Sequence, residues 1–392
     1  MRVALLSFGF STSSIPLAKY LSMLGHTVDY FYLMNSGCLN HFTINLSKFD
    51  FSNGFIPKEK MPEIIGNPLF SYIDNLNDFN IYIYSRQRRY FYLDCYISML
   101  KLSKVINKNT YDVLHIVGQN REFVFLHRLI SLPTVFTFHE IADKTVPGHT
   151  GKNALIKFIS RKRNNIIFHS ENLKNKYFDS FKTKNTGIYV IKFGLFETYR
   201  LYETQIPEEP NTILFYGIIN PYKGLEYLVD AFKLIKKEIP DIKLIIAGRG
   251  NIYFDKKDLE DSQIELINRS ISEEELVILN KRAAVVVCPY TSASQSGIPV
   301  TSFIFCKPII ATNIMGLSEY IIDGYNGFLV PPKDSVSLAK KIIVLLRDKL
   351  LFNKTKNNIV KMNAEGSDVW LEIAKQTEKI YKNEINAGYR KV

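Results

Sequence analysis

The chain is expected to be an α/β protein made of two doubly wound parallel-sheet domains, and three observations carry that expectation. It opens with a strand–helix–strand unit over residues 2–8, 14–24 and 27–33, where continuous apolar runs flank an amphipathic stretch. After a stretch interrupted by prolines and glutamates at 198–211, the same alternation restarts at Thr212. Residues 285–334 then read as the edge of a parallel sheet around an anion site, with an apolar run, a small-residue turn and a helix start in succession. With 392 residues and 46% hydrophobic content, the chain can bury two substantial cores.

Taken in order, the turn 9–14 carries one glycine where a dinucleotide fingerprint carries three, which excludes an NAD site of that type. Residues 35–80 are aromatic and irregular, and no element is assigned there. Strands follow at 111–117, 134–138, 165–169 and 189–192, ending the first domain near Gly194. Pro207-Glu208-Glu209-Pro210 breaks both periodicities and marks a linker. The second domain brings strand 212–216, helix 225–238, strand 243–247, helix 273–281 and strand 283–289. The Ser294-Gln295-Ser296-Gly297 turn, helix 298–305 and strand 308–312 come next, then a turn from Gly316 to Glu319 and hairpin chemistry at 323–327. Trp370 opens a final amphipathic helix to about residue 383. The expected domains are therefore 1–196, a linker at 197–211, 212–368, and a C-terminal helix within 369–392. No repeat of solenoid or propeller period is present.

Composition narrows the classes further. No run approaches the roughly 18 apolar residues of a membrane span, and the N-terminus reads as a short strand rather than a signal peptide. The expectation is a cytoplasmic protein, soluble or peripheral at the inner face of the plasma membrane. Cys38, Cys95, Cys288 and Cys306 show no ligand spacing and read as reduced, half-buried side chains. The formal net charge is +12, and part of the excess is local. Arg86, Arg88 and Arg89 lie among tyrosines and Phe91, and Lys152, Lys157, Arg161, Lys162 and Arg163 form a second cluster. Two readings stay open for them, a solvated face or a dock for anionic membrane lipid or a lipid-diphosphate acceptor. Nucleic acid is not an expected partner, since no RNP, KH or helix-turn-helix pattern accompanies the clusters.

The order PY…SGIP…KPIIAT…GLSEYIIDGYNGFLVPP in residues 289–332 resembles the C-terminal signature of retaining glycosyltransferases of family 4, the glycosyl transferases group 1, which have the GT-B fold. Matching segments at 111–115, 137–140, 188–194, 213–224 and 244–250 extend the resemblance over nearly the whole chain. It implies two Rossmann-like domains facing across a cleft, with the helix at 370–382 crossing back to the first domain. It also implies a nucleotide-sugar donor, UDP- or GDP-linked, no further cofactor, and a saccharide or lipid-linked acceptor.

The chemistry such an enzyme needs is stabilisation of a departing nucleoside diphosphate, by cations and amides placed where charge grows on the phosphate. Lys223, in the turn Pro221-Tyr222-Lys223-Gly224, matches the family's phosphate lysine. The amides of Gln295, Ser296, Gly297 and Ile298 would form the other half of the clamp. His139, after strand 134–138, resembles the histidine that contacts the transferred sugar. Glu140 beside it stays open between capping a turn and touching acceptor. Asn268 and Arg269 fall in the base region, and Arg249 is open between phosphate and solvent. Glu319 would bond donor hydroxyls or cap a helix beginning near Tyr320.

The chain also departs from the family. Ile218 stands where an arginine usually follows the glycine equivalent to Gly217, and the paired-glutamate motif is absent, with Thr301 where its second member, a ribose ligand, would align. No Asp-x-Asp pair is present, so no metal site is expected. The expected function is a metal-independent, retaining glycosyltransferase of surface-polysaccharide or glycolipid assembly. The alternative is a nucleotide-sugar-binding GT-B relative without transfer activity, either an epimerase-like enzyme or a non-catalytic partner subunit.

Overall fold

The structure is a computed structural model, and it describes residues 1–35, 40–41, 44–46, 54–84, 93–118, 123–141, 156, 165–181, 187–202, 204–293 and 295–389. The chain divides into two compact units, one of residues 1–194 with 368–392 and the other of residues 195–367. Arg86, Arg88, Arg89 and the 152–163 cluster lie outside the described residues, as do Cys38 and Ser294.

The strands of the first unit are β1 (Arg2–Ser7), β2 (Thr27–Asn35), β3 (Asn40–His41), β4 (Ile44–Asn45), β5 (Gly54–Phe55), β6 (Asp78–Tyr84), β7 (Val113–Val117), β8 (Thr134–Phe138), β9 (Asn165–Phe168) and β10 (Ile188–Val190). Eight form one sheet in the order β10-β9-β8-β7-β1-β2-β6-β5, while β3 and β4 pair separately. All neighbours in the larger sheet are parallel except β5 against β6. Residues Val3 to Leu6, Val113 to Val117 and Val135 to Phe138 are buried, as central strands covered on both faces require. The helix Gly366–Tyr389 runs into this unit. Its Trp370 packs against Gly194, where a Cβ would lie 2.5 Å from the ring, and the Tyr381 hydroxyl meets His115 Nδ1 at 2.6 Å.

The second unit holds β11 (Thr212–Tyr216), β12 (Lys243–Ala247), β13 (Ile264–Ile267), β14 (Val285–Cys288), β15 (Ile309–Thr312) and β16 (Gly327–Val330), all parallel, in the order β13-β12-β11-β14-β15-β16. The helices Leu225–Glu238 and Ser335–Arg347 pack on each other and bury one apolar stripe each. The helix Glu273–Arg282 starts with a capping box between Ser272 and Glu275.

Several local expectations differ from what is found. Within 35–80 lie the short strands β3, β4 and β5, a helix, Met61–Tyr72, and the start of strand β6; Pro68 and Gly66, at φ 71°, break the helical pattern in the sequence. Residues 323–327 do not close a hairpin but lead into parallel β16, because Asn326 and Asp323 spend their side chains on the Ile322 and Leu329 amides. No helix begins at Tyr320; Glu319 instead follows the short helix Met315–Ser318. The segment expected as a linker is packed on the second unit. Thr198 and Tyr199 are buried, Glu208 pairs with Lys307 at 2.6 Å and Lys356 at 2.8 Å, and Glu209 pairs with Arg282 at 2.6 Å.

Candidate functional site

In both sheets the strand order reverses beside the first strand of the unit, between β1 and β7 and between β11 and β14. Loops leaving the carboxyl ends of such neighbouring strands part in opposite directions and leave a crevice, the usual ligand position in open α/β sheets.

In the second unit, the turn after β11 meets the end of β14 at this point. Asn220 caps the 3-10 turn Pro221–Lys223, and Gly224 follows at φ 65°. A Cβ at Gly224 would lie 2.1 Å from the Pro289 carbonyl oxygen, so only glycine lets the two segments approach. The Thr291 amide donates to the Tyr222 carbonyl at 2.9 Å, and the Thr312 hydroxyl donates to the Tyr290 carbonyl at 2.6 Å. Lys223 is held inside this junction, its Nζ 3.8 Å from the centroid of the buried Tyr290 ring and 5.2 Å from that of Tyr222. No ion pair or hydrogen bond engages its ammonium among the described residues. Burial pulls the Lys223 pKa down to about 8. The neighbouring Cys288 thiol is pushed up to about 12 by the same burial, so it brings no charge.

Ser296, Gly297 and Ile298 stand beside this junction at the start of the helix Ile298–Ile304, with Ile298 Cδ1 lying 3.7 Å from where a Cβ of Gly217 would be. The Ile298 amide is already taken by Ser296 Oγ at 3.3 Å. Gln295 lies against Gly316, where a Cβ would come 2.9 Å from the Gln295 amide nitrogen, and its Oε1 is buried without a partner among the described residues. Glu319 is half-buried. Thr301 is buried inside the helix and its hydroxyl donates to the Gly297 carbonyl at 2.9 Å.

The other predicted residues lie at the ends of β12 and β13. Arg249 is exposed, while its carbonyl accepts from the Ile219 amide at 2.9 Å. Asn268 Oδ1 accepts from the Gly250 amide at 3.1 Å. Arg269 is committed to a forked pair with Glu275, at 2.9 and 2.5 Å, which holds the Glu275 carboxyl down at about 2. Its guanidinium therefore ties down the start of a helix and turns its forked edge away from a ligand.

His139 belongs to the first unit, one residue past β8, and is 4% exposed. Its ring stacks on Phe10, which follows β1, with centroids 3.6 Å apart and planes 3° from parallel. The His169 and Phe193 rings lie 4.7 and 5.7 Å from it, centroid to centroid. His139 Nε2 has no hydrogen-bond partner among the described residues. Burial, reinforced by His169 and His115, holds its pKa well below the usual value, so the ring is neutral. A buried neutral imidazole with one open nitrogen can exchange a hydrogen bond with a ligand hydroxyl, and does not serve as a cation. Beneath it, His115 bonds Tyr381 and Thr137, the latter at 2.7 Å, and its pKa falls to about 3 through burial. Sequence reasoning did not single out Phe10, His115, His169, Tyr290 or Tyr381, whose apolar or aromatic contexts read as core.

Residues 202–364 match the family described as Glycosyl transferases group 1. A glycosyltransferase of Methanocaldococcus jannaschii is 26% identical over 299 residues, covering 73% of this chain and 80% of that protein. The capsular polysaccharide biosynthesis glycosyltransferase CapM of Staphylococcus aureus is 26% identical over 208 residues, 47% of this chain and 53% of CapM. Among solved structures, Anabaena HepE in complex with UDP-glucose superposes with a TM-score of 0.66 at 14% identity, over 97% of this chain and 100% of that one. The fold is that of the GT-B glycosyltransferases.

Proposed function

We propose that this chain, whose residues 202–364 form a glycosyl transferases group 1 domain, transfers a sugar from a nucleoside diphosphate donor to a saccharide or lipid-linked acceptor in surface-polysaccharide or glycolipid assembly. The observation that carries the proposal is Lys223, a half-buried ammonium over the Tyr290 ring with no carboxylate beside it among the described residues, at the switch point of that domain's sheet. A cation drawn partly out of water without a carboxylate is costly for the fold, and an anionic ligand is what would offset it. As the sugar leaves, Lys223 would neutralise charge growing on the departing phosphate, with the amides around Ser296 and Gly297 adding dipoles. His139 would bond a hydroxyl of the transferred sugar through Nε2. The assignment to surface polysaccharide leans on the similarity to CapM.

Retention of configuration and independence of metal belong to the same proposal, the latter supported by the lack of an Asp-x-Asp pair in the sequence. Peripheral contact at the inner face of the membrane is a further part, resting on the basic clusters and the +12 charge. One observation favours a second reading: Ile218 and Thr301 stand where relatives of this type carry an arginine and a glutamate, which fits a relative that binds nucleotide sugar without transferring it.

A thermal-shift screen of UDP, GDP, ADP and their sugars separates these readings in two steps. A bound nucleotide at about 100 times its dissociation constant should add about 2.7 kcal/mol. Transfer is then read as a new glycosidic bond whose anomeric configuration is assigned by NMR. Stabilisation by no nucleotide would sink both readings; binding without any transferred or hydrolysed sugar would leave only the second.

A further inference from the structure

With no anion bound, something other than a carboxylate must keep the Lys223 ammonium in place. Lysines drawn out of water normally lie against a carboxylate, as the buried Lys307 does against Glu208 in this same unit, while Lys223 is half-buried. Among the described residues Lys223 instead neighbours the Tyr222 and Tyr290 rings and the Cys288 thiol, none of them a carboxylate. Of these, Tyr290 is the nearest by ring distance and the most fixed. Its ring is wholly buried, its carbonyl accepts from Thr312, and its two sequence neighbours are locked to the Lys223 turn through the Pro289–Gly224 approach and the Thr291–Tyr222 bond.

We propose that Tyr290 is a positioning residue for Lys223, its ring face holding the ammonium at the β11–β14 switch point in place of a carboxylate. A carboxylate there would neutralise the cation and repel a phosphate. The negative face of an aromatic ring attracts the ammonium while leaving its full charge available to an anion. The inference rests on the phosphate-site reading for its purpose, and its test is read on the empty protein.

The experiment follows the titration of Lys223 by NMR in protein carrying isotope-labelled lysine, with Lys223→Arg to assign the signal. Tyr290→Phe keeps the ring and should leave the titration where it is in the wild type. Tyr290→Leu should lower it, on the order of one pKa unit, since the ring favours the charged form. Because Tyr290→Leu also opens space, fluorinated phenylalanines at position 290 provide variants of nearly unchanged shape. Each added fluorine weakens the ring's negative face and should lower the titration stepwise. A purely structural role for Tyr290 would reduce stability without moving Lys223. A titration that stays fixed through the fluorinated series, or falls as far with Phe as with Leu, overturns the proposal. UDP affinity measured against pH in the same series is a separate readout. Failure of the wild type to bind UDP, GDP or ADP would count against the phosphate-site reading, while the titration would still decide the role of Tyr290.

Discussion

Replacing Lys223 by methionine should stabilise the protein while removing its proposed activity. The drop of the Lys223 pKa from 10.5 to about 8 corresponds to about 3 kcal/mol of disfavoured charge at about 1.4 kcal/mol per unit. Solvent reaching the half-buried side chain lowers that figure, so Lys223→Met, similar in length and apolar, should gain about 1–3 kcal/mol at pH 7. The sign with pH follows from linkage. Between pH 8 and 10.5 the unfolded chain holds more protons on Lys223 than the folded one, so wild-type stability rises with pH across that window. The gap between the two proteins should therefore close above about pH 10. Urea unfolding of both at pH 7 and pH 10 measures it, and a transfer assay should find activity lower by about a hundredfold, the value of roughly 3 kcal/mol of transition-state stabilisation. Equal stabilities at pH 7, or a gap that persists at pH 10, would refute the picture of a half-buried ammonium without a carboxylate partner.

Activity should persist in excess EDTA; its loss with rescue by magnesium or manganese would show that a metal takes part. Tyr381→Phe removes the hydroxyl that meets His115 at 2.6 Å in a buried setting, which should cost about 1–3 kcal/mol in urea unfolding. Wild-type stability should fall on acidification from about pH 6.5 towards 4. His115 at about 3 and His169 at about 4 stay neutral in the fold while the unfolded chain takes up protons near 6.5; unfolding curves that coincide at pH 7 and pH 4.5 would contradict this. Glu208→Ala leaves Lys307, 4% exposed, without its carboxylate. A loss of about 2 kcal/mol is expected, moderated by the partial exposure of Glu208 and relieved by adding Lys307→Met.

The sheets were legible because buried parallel strands are continuous apolar runs bounded by turn residues, and Thr134–Phe138, Thr212–Tyr216 and Lys243–Ala247 fall where those runs lie. Elements whose local signals conflict were not legible. The helix Met61–Tyr72 contains two prolines and a glycine at positive φ, so its period is broken although it forms. Strand β6 opens on Asp78, which looks like a loop residue but pairs with Lys58. The Pro207–Pro210 stretch reads as solvated, yet Glu208 is held by Lys307, 99 residues further on, a pairing no local window contains.

The site divides along the same line. Lys223 and His139 could be found because a turn after a strand and the family resemblance both mark them. Their chemical state could not, since it is set by partners from other strands. The ring beneath Lys223 comes from the end of β14, and the stack on His139 comes from the turn after β1. Adjacency of those strands is a product of the strand order, which reverses at these points and is invisible in local sequence. Arg269 shows the converse. It stands in the segment where a nucleotide ligand was expected and carries a suitable group, but its fork closes on Glu275 in the start of the next helix. A charged residue in the right segment is therefore evidence of a functional group only once its own hydrogen bonds are counted. By that count Lys223 and the Nε2 of His139 keep their capacity whole, while the guanidinium of Arg269 has given three of its N–H groups to Ser270 and Glu275.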